Sequence, residues 1–455
     1  MRSVFAFSFH ILLTFVLGIT FTGCTRNDTD PASKLESTHV LTHENLPLSV
    51  LIKCSFTQSA SARIKYWPAT ENEAGAMVSA ISDSKKNHTF SVFELKEKTD
   101  YHYKVIHVSE NGTETEVRQV QRFTSGTLPT WLTAYYTQDQ NVLQENLPGY
   151  YLFAPASKPN GLFLVDKTGK IAWCWSPPSN TMVKTARFTP KGSLLILIDE
   201  NSNPMADGNV LLETTLAGDT LSYFRMGEKG FDKSIHHDIQ MDENGNIVAI
   251  TNEMQNGFPG DGILVLNSQG QKIWEWSTFS ELTQIDPATY AQPWGNSLVI
   301  DKDHNYIVSF RALSQIWKIN ATTGKVMWKL GKNGTVKMPE GSQFMFQHFA
   351  HRNASDDIML FDNGAAARPH TRILSFTLNE STLQATTKIN LTLPNDAYSV
   401  IMGSTGLLPD GNVLSASAMT GKLLKTDLTG TPVWTLKTAS PIYRAEYIAN
   451  PFGQW

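Results

Sequence analysis

The sequence predicts an all-β protein: a six-bladed β-propeller preceded by a small β-sandwich. Two observations predict it. One signature recurs along the C-terminal part of the chain: an apolar pair, a polar turn with glycine, then an apolar run ending at tryptophan. Ahead of it, short runs with strict two-residue alternation and turn signals between them fill residues 41–126.

The N-terminus reads as an address. Met1-Arg2 is a minimal positive start, and Val4 to Phe21 is an apolar run. It ends in Phe21-Thr22-Gly23-Cys24, which resembles a bacterial lipobox with Cys24 as the lipidated residue. Residues 1–24 are therefore expected to be a lipoprotein signal peptide. A bilayer anchor and an ordinary cleaved signal are the alternatives. Thr25, rather than Asp, follows the cysteine and favours the outer membrane, so the expected location is the bacterial cell envelope, facing the periplasm or the cell surface. Nucleotide-dependent chemistry fits poorly there. Residues 25–40 are polar and read as a tether.

The sandwich is expected over 41–126, on Leu48-Ser49-Val50-Leu51-Ile52, Ala62-Arg63-Ile64-Lys65-Tyr66, Phe90-Ser91-Val92-Phe93 and Tyr101-His102-Tyr103-Lys104-Val105. Leu95 followed by Thr99-Asp100-Tyr101 resembles the tyrosine corner of fibronectin type III domains. Such a unit is expected to act as a spacer or an interaction module, with Cys54 as a core thiol.

The propeller is expected over 127–455. Its signature reads Val165-Asp166-Lys167-Thr168-Gly169…Trp173 and Leu266-Asn267-Ser268-Gln269-Gly270…Trp274. It returns as Ile319-Asn320-Ala321-Thr322-Thr323-Gly324…Trp328 and Thr426-Asp427-Leu428-Thr429-Gly430…Trp434. Leu216-Ala217-Gly218 is a worn copy. From Gly169 the glycines step by 49, 52, 54 and 106 residues, so one copy is missing and Phe376-Thr377-Leu378-Asn379 occupies its place. A second turn precedes each copy, as in Asp242-Glu243-Asn244-Gly245-Asn246 and Pro409-Asp410-Gly411-Asn412. Two turns per repeat make four strands, a propeller blade. Tyr443-Arg444-Ala445-Glu446-Tyr447-Ile448 has no blade of its own and is expected to complete the first, closing the ring.

Composition removes whole classes of function. Lys and Arg number 38 against 42 Asp and Glu, giving a net charge of -4, so a nucleic-acid partner is not expected. Charged residues at 18% with 10% aromatics exclude a disordered chain. Three cysteines cannot build a disulfide framework or a cysteine-rich zinc site.

Aligning the repeats without gaps puts Lys184, His237, Asn296, His348 and Gly403 at one level, near the start of each channel-lining strand. The following hairpins return Asn252-Glu253, Arg311, Asp362-Asn363 and Ser417 to that end, and Gln315, Arg372 and Lys422 start the third strands there. Histidines, cations and amides converging on one channel mouth make an anion pocket. The plainer reading is that a histidine at a strand start is a hydrogen-bonding structural group and that Arg311 and Arg372 pair with carboxylates. His236, His351 and His370 fall off the shared register and read as supporting or surface residues. The tryptophans read as packing anchors between blades. No spacing specifies a metal.

The ordered set His236-His237-Asp238-Ile239, Trp294-Gly295-Asn296-Ser297, Gln347-His348, Leu360-Phe361-Asp362-Asn363-Gly364, Thr371-Arg372, Met402-Gly403-Ser404 and Tyr443-Arg444-Ala445 resembles the bacterial arylsulfotransferase (arylsulfate sulfotransferase) family over roughly 150–450. The resemblance implies transfer of sulfate from an aryl sulfate to a phenol without a nucleotide donor, through a sulfohistidine on a channel histidine. It implies no cofactor. By matching position His237, His348 and Arg372 would hold the sulfate oxygens. Asn296, Arg311 and Asn363, which the repeat alignment brings to the same channel mouth, are expected as further substrate-binding residues. The segment that should carry the nucleophile reads Ser417-Ala418-Met419-Thr420-Gly421-Lys422-Leu423 and holds no histidine; Lys422 falls nearest. The family's histidine before an Asn-Ser pair is replaced by Trp294-Gly295, and the paired cysteines of some members are missing. Three routes stay open: attack by a neutral Lys422, attack by His237 or His348, or direct one-step transfer.

The expected partners are small aryl sulfates and phenols, with the membrane reached through the N-terminal lipid and homo-oligomerisation left open. The rival function is a non-catalytic propeller lipoprotein, either an envelope scaffold or a module that binds an anion or a sugar.

Overall fold

The computed structural model describes residues 33–116, 120–137, 146–156, 158–201 and 207–453. The proposed signal peptide and Cys24 lie outside the described residues.

Six small antiparallel sheets form the propeller, and their strand order shows how the ring closes. The second to sixth blades begin at their innermost long strand, at Met182–Phe188, Ile235–Met241 (with the two-residue strand Asp207–Gly208 paired outside it), Gly295–Ile300, His348–Arg352 and Ser404–Leu407. The first blade takes its innermost strand from the C-terminus. Ile442–Ile448 pairs with Tyr150–Pro155, with Ala445 opposite Phe153, so the last strand of the chain locks onto the first blade. The repeat spacing anticipates this closure.

Each pair of neighbouring blades shares an apolar core. Leu162, Trp173, Ile196 and Leu212 fill the space between the first and second blades. Ile250, Trp276, Val308 and Trp317 fill the third interface, and Tyr151, Leu414 and Trp434 the one that joins the sixth blade to the first. Two tryptophans also tie blades together: the Trp173 indole donates to Leu216 O at 3.0 Å, and the indole of Trp276, just past the repeat's Trp274, donates to Gly324 O at 2.8 Å, each reaching the polar turn of the next blade. The repeat's Trp328 and Trp434 fill their interfaces by packing alone, their buried indole nitrogens making no hydrogen bond.

The polar turns themselves follow from their first residue. Asp166 Oδ1 accepts from the Thr168 and Lys170 amides, and Asp427 Oδ1 from those of Thr429 and Thr431, an Asx turn whose tight return needs a positive φ. Gly169 and Gly430 supply it at 80° and 89°. The missing copy is the same device: Asn379 Oδ1 accepts from the Ser381 and Thr382 amides, and Leu383 takes the positive φ at 51°.

The N-terminal unit is a seven-stranded arrangement built on one long strand, Val50–Pro68. Its first half pairs with Leu35–Thr42 and Lys85–Val92, and its second half with Met77–Val78 and Asp100–Val108. Ile52, Phe56, Ile64, Tyr66, Val92 and Tyr103 make its separate core. Two of the expected strands are thus halves of one. The stretch read as a tether up to residue 40 is strand from Leu35 onward, because Leu35 and Val40 pack on that core. Tyr101 Oη accepts the Lys96 amide at 2.8 Å. Leu46, Leu51 and Phe93 pack against Leu216 and Ala217 of the second blade, and Tyr150 Oη donates to Glu94, so the unit rests on the outer edge of the propeller.

Candidate active site

The innermost strands are not regular. In five blades they lose register with the second strand at one level, between Val183 and Thr185, Ile235 and Ile239, Gly295 and Ser297, His348 and His351, and Ile442 and Arg444. An extra residue in one strand kinks it and re-aims side chains. Lys184, His237, Asn296, Phe349 and Tyr443 fall inside these breaks, and His237 and Phe349 adopt left-handed φ values of 59° and 52°. Such backbone costs about 1–3 kcal/mol per residue, so the surrounding packing must enforce it.

A charge cluster joins the innermost strands below this level. Asp238, fully buried, accepts Arg187 Nε at 3.0 Å and Nη2 at 2.8 Å, Arg444 Nη1 at 2.7 Å, and the Leu298 amide at 2.9 Å. Arg187 Nη1 also donates to Glu446 at 2.8 Å. Burial alone would raise the Asp238 carboxyl, but the charges and hydrogen bonds of Arg187 and Arg444 win and hold it down at about 2. The Phe349 ring packs against both guanidiniums, at 4.8 Å from Arg187 and 4.5 Å from Arg444.

Above this floor stand His348, His237 and Arg311. His348 Nδ1 donates to Asn363 Oδ1 at 2.7 Å, and Asn363 is itself oriented by donating Nδ2 to the Ser399 and Met402 carbonyls. His348 Nε2 accepts the Met402 amide at 3.2 Å. Burial above all, with the charges of Arg311 and Arg444, lowers His348 to about 4 against the opposing pull of its bond to Asn363. It is a neutral imidazole of fixed tautomer.

His237 is surrounded by protein yet keeps some accessible surface, as a group facing an internal channel does. Its Nδ1 lies 2.8 Å from His236 Nδ1, its carbonyl accepts Tyr443 Oη at 2.8 Å, and its ring is 6.4 Å from those of Trp294 and Tyr443. Burial, then the neighbouring His236, His348 and Arg444, hold its pKa well below the usual histidine range.

Arg311 differs from every arginine around it. Its guanidinium lies 4.9 Å over the Phe346 ring, its buried Nε makes no hydrogen bond, and no carboxylate pairs with it among the described residues. Burial pulls its pKa down from the usual arginine value. A half-buried cation without a carboxylate partner is chemically suited to receive an anion.

The remaining predicted residues take other places. Arg372 is saturated: it donates Nε and Nη2 to Asp362, Nη1 to Gly341 O and Nη2 to Gln343 O, leaving it an anchor for the loop ahead of His348. Asn363 is consumed in orienting His348. Asn296 Nδ2 donates to Gln347 O at 2.7 Å, while its buried Oδ1 has no partner. Lys422 pairs with Asp396 on the third strand of its blade, away from the innermost ring. Lys184 pairs with buried Asp199 at 3.2 Å. The structure therefore brings His237, His348 and Arg311 together, whereas Arg372 is occupied by Asp362 and two carbonyls and Lys422 by Asp396. His236, read from the sequence as a supporting or surface residue, is buried and touches His237. Sequence reasoning did not single out Phe346, Phe349 or Arg187. The legible signal for the last was a charged residue on an innermost strand with apolar neighbours.

Met345, Val400, Ile401 and Met419 are exposed around the His348–Asn363 pair. They are tied to it through Gly364 N to Met345 O, Asn363 Nδ2 to Ser399 O, Ser399 Oγ to Ile401 O, and Met419 N to Ser399 Oγ. A separate open cleft of about 1020 Å³ lies by the turns at the opposite end, lined by Lys302, Arg352, Asp356 and Glu380. There Arg352 pairs with Asp301 and Glu380, and Lys302 with Asp356, while Lys388 on the same lining makes no ion pair among the described residues.

Fold and site together define a six-bladed propeller whose innermost strands and the loops beside them bring together two buried histidines, a cation without a carboxylate partner among the described residues, and aromatic rings. The chain belongs to the arylsulfotransferase (ASST) family, whose model matches residues 133–438. No curated protein matches the sequence. Among solved structures it resembles a protein of unknown function from Bacteroides caccae, at 16% identity and a TM-score of 0.43, covering 66% of this chain and 99% of that one. It also resembles a catalytically inactive virginiamycin B lyase from Staphylococcus aureus solved with quinupristin, at 12% identity and a TM-score of 0.39, covering 65% and 87%. The structure of a nidogen/laminin complex gives 12% identity and a TM-score of 0.41, covering 66% and 98%.

Proposed function

We propose that this protein transfers a sulfuryl group from an aryl sulfate to a phenolic acceptor without a nucleotide donor. The observation that carries the reading is Arg311, a partly buried cation with an orphaned Nε, beside two neutral histidines. An aryl sulfate is a single negative charge on a tetrahedral head joined to an aromatic ring. Arg311 suits the head, and Phe346, Trp294, Tyr443 and the exposed Met345, Ile401 and Met419 suit the ring. A pocket that excludes water strengthens such charge recognition in the transition state. Family membership supports the reaction class, while the donor and acceptor come from this pocket chemistry. We further read Cys24 as lipidated, which would tether the enzyme in the bacterial envelope, and the N-terminal unit as a fibronectin type III-like spacer.

The test is an assay of the full-length chain with a fluorogenic aryl sulfate, with and without a phenol. Fluorophore release that depends on the phenol is expected, together with sulfated phenol among the products. Release that ignores the acceptor would mean a sulfatase. A folded protein that binds several donors and releases none would be an anion-binding module or scaffold.

A further inference from the structure

We propose that His237 is the nucleophile of this pocket, held in its attacking tautomer by a relay that runs from Asp261 through His236. The inference rests on the sulfotransfer reading and supplies what the sequence lacks, a histidine to replace the one missing near Lys422.

The Nδ1 atoms of His236 and His237 are 2.8 Å apart, so one carries a proton and the other accepts it. Two neutral arrangements satisfy that contact, and Asp261 distinguishes them. Asp261 is wholly buried and receives Gln292 Nε2 on Oδ1 at 2.8 Å and the Gly295 amide on Oδ2 at 2.9 Å, so its oxygens face donors. The far nitrogen of His236, Nε2, is buried without a full hydrogen bond and faces Asp261 Oδ1 at 3.4 Å. A bare lone pair there would point at an oxygen acceptor, whereas an N–H is attracted to it. Placing that proton on His236 Nε2 leaves His236 Nδ1 bare. His237 must then donate through Nδ1, and its Nε2 keeps the lone pair.

Two further observations select His237 over its rivals. Among the described residues its ring bonds to His236 alone, through Nδ1, so Nε2 is free toward the channel. His348 Nε2 is engaged by the Met402 amide, and Lys422 stands off the channel with Asp396. The left-handed φ of 59° at His237 and the bond from Tyr443 Oη to its carbonyl fix the direction of the ring. Strong burial keeps the imidazole neutral, as attack requires.

The reaction balances without an oxidant. The His237 Nε2 lone pair forms the N–S bond as the S–O(aryl) bond breaks, and that electron pair leaves on the phenolate, which takes a proton from water. The positive charge on the ring offsets the negative sulfuryl group, and the Nδ1 proton can move toward His236, whose Nε2–H faces Asp261. The acceptor phenol oxygen then attacks sulfur and loses its proton to water, and the N–S electron pair returns to Nε2. His237 touches substrate; His236 and Asp261 are positioning residues.

The test uses the full-length chain, its Asp261→Asn, His236→Gln and His237→Gln variants, and a nitrophenyl sulfate donor. Nitrogen NMR of the imidazoles is expected to find the His237 proton on Nδ1 in the resting protein and to see it redistribute in Asp261→Asn. In that variant and in His236→Gln the nitrophenolate burst should slow by about 10²–10⁴-fold, while melting temperature and donor affinity stay near those of the parent. Peptide mapping should place the added SO3 on His237, and His237→Gln should gain none. A resting proton on His237 Nε2, or SO3 on His348 or Lys422, overturns the proposal. Turnover that is unchanged in Asp261→Asn removes the relay and leaves the nucleophile. The expected tautomer in a parent protein that never releases nitrophenolate overturns the sulfotransfer reading itself, and the nucleophile with it.

Discussion

Arg311 lies 4.9 Å above the ring of Phe346 with its Nε buried and unbonded, and no carboxylate balances it among the described residues. Evolution of a stable core would not leave a cation so, because burying charge without a partner is costly. Replacing Arg311 with Met should therefore keep the melting temperature or raise it. The same change should weaken binding of an aryl sulfate by about 10–100-fold, the worth of a hydrogen bond to a charged group. Calorimetric titration and thermal unfolding read the two effects separately. A loss of stability equal to the loss of affinity would mean that Arg311 has a structural partner after all.

Acid should destabilise the protein through His348. Its folded pKa is about 4 against an ordinary 6.5, lowered first by burial and then by Arg311 and Arg444, while Asn363 and the Phe346 carbonyl oppose. Above 6.5 both folded and unfolded states are neutral at this site and nothing is lost. As pH falls from 6.5 toward 4 the unfolded chain binds the proton first, so stability declines across that window. The full effect is on the order of 3 kcal/mol if the site stays dry. Replacing His348 with Asn should flatten the fall in melting temperature between neutral pH and the lower end of that window. An unchanged slope would assign the acid sensitivity elsewhere, with His351, likewise lowered to about 4, the next group to replace.

Asp238 should be the most costly single residue of the channel to lose. It compensates Arg187 and Arg444 at once, and its removal leaves two buried guanidiniums beside Phe349 with only Glu446 to balance them. Breaking a buried pair by removing one partner costs about 3–5 kcal/mol, and this cluster stands at or above that figure. Denaturant unfolding of Asp238→Ala measures it. Changing Asp238, Arg187 and Arg444 together to apolar residues should recover part of the loss, because no charge is then left unmatched. A triple variant weaker than Asp238→Ala would sink this account.

What the sequence disclosed and what it hid divide along one physical line. Turn chemistry is local: Asp166, Asn267, Asn320 and Asp427 announce their turns to anyone counting residues, and from them follow the blades, their order and the closing strand Ile442–Ile448. The level at which His237, Asn296 and His348 sit was legible for the same reason, since equivalent positions in equal repeats share a height. Charge matching is not local. Arg311 and Arg372 look alike as residues, and only the fold shows that Asp362 and two carbonyls occupy the second while no carboxylate pairs with the first among the described residues. The bulge that turns His236 onto His237 likewise depends on a mismatch with the next strand, which no pattern along one strand reveals.

Lys422 separates the pocket described here from the one that position in the repeat suggested. It begins the strand Lys422–Thr426, third from the channel, and its ammonium is held by Asp396 in the short turn Asn395–Ala397. Two strands, Ser404–Leu407 and Val413–Ser417, stand between it and the axis. A nucleophile must reach the reacting atom at about 3–3.5 Å, whereas the ammonium of Lys422 is held by Asp396 on the third strand of its blade. Lys422→Ala should therefore change the rate of donor turnover by no more than about twofold, the range of a substitution at a partly exposed ion pair. Stopped-flow release of nitrophenolate from the parent and the variant makes the comparison directly. A tenfold loss at unchanged stability would return the lysine to the chemistry and require the loops around Asp396 and Met419 to move in the working enzyme.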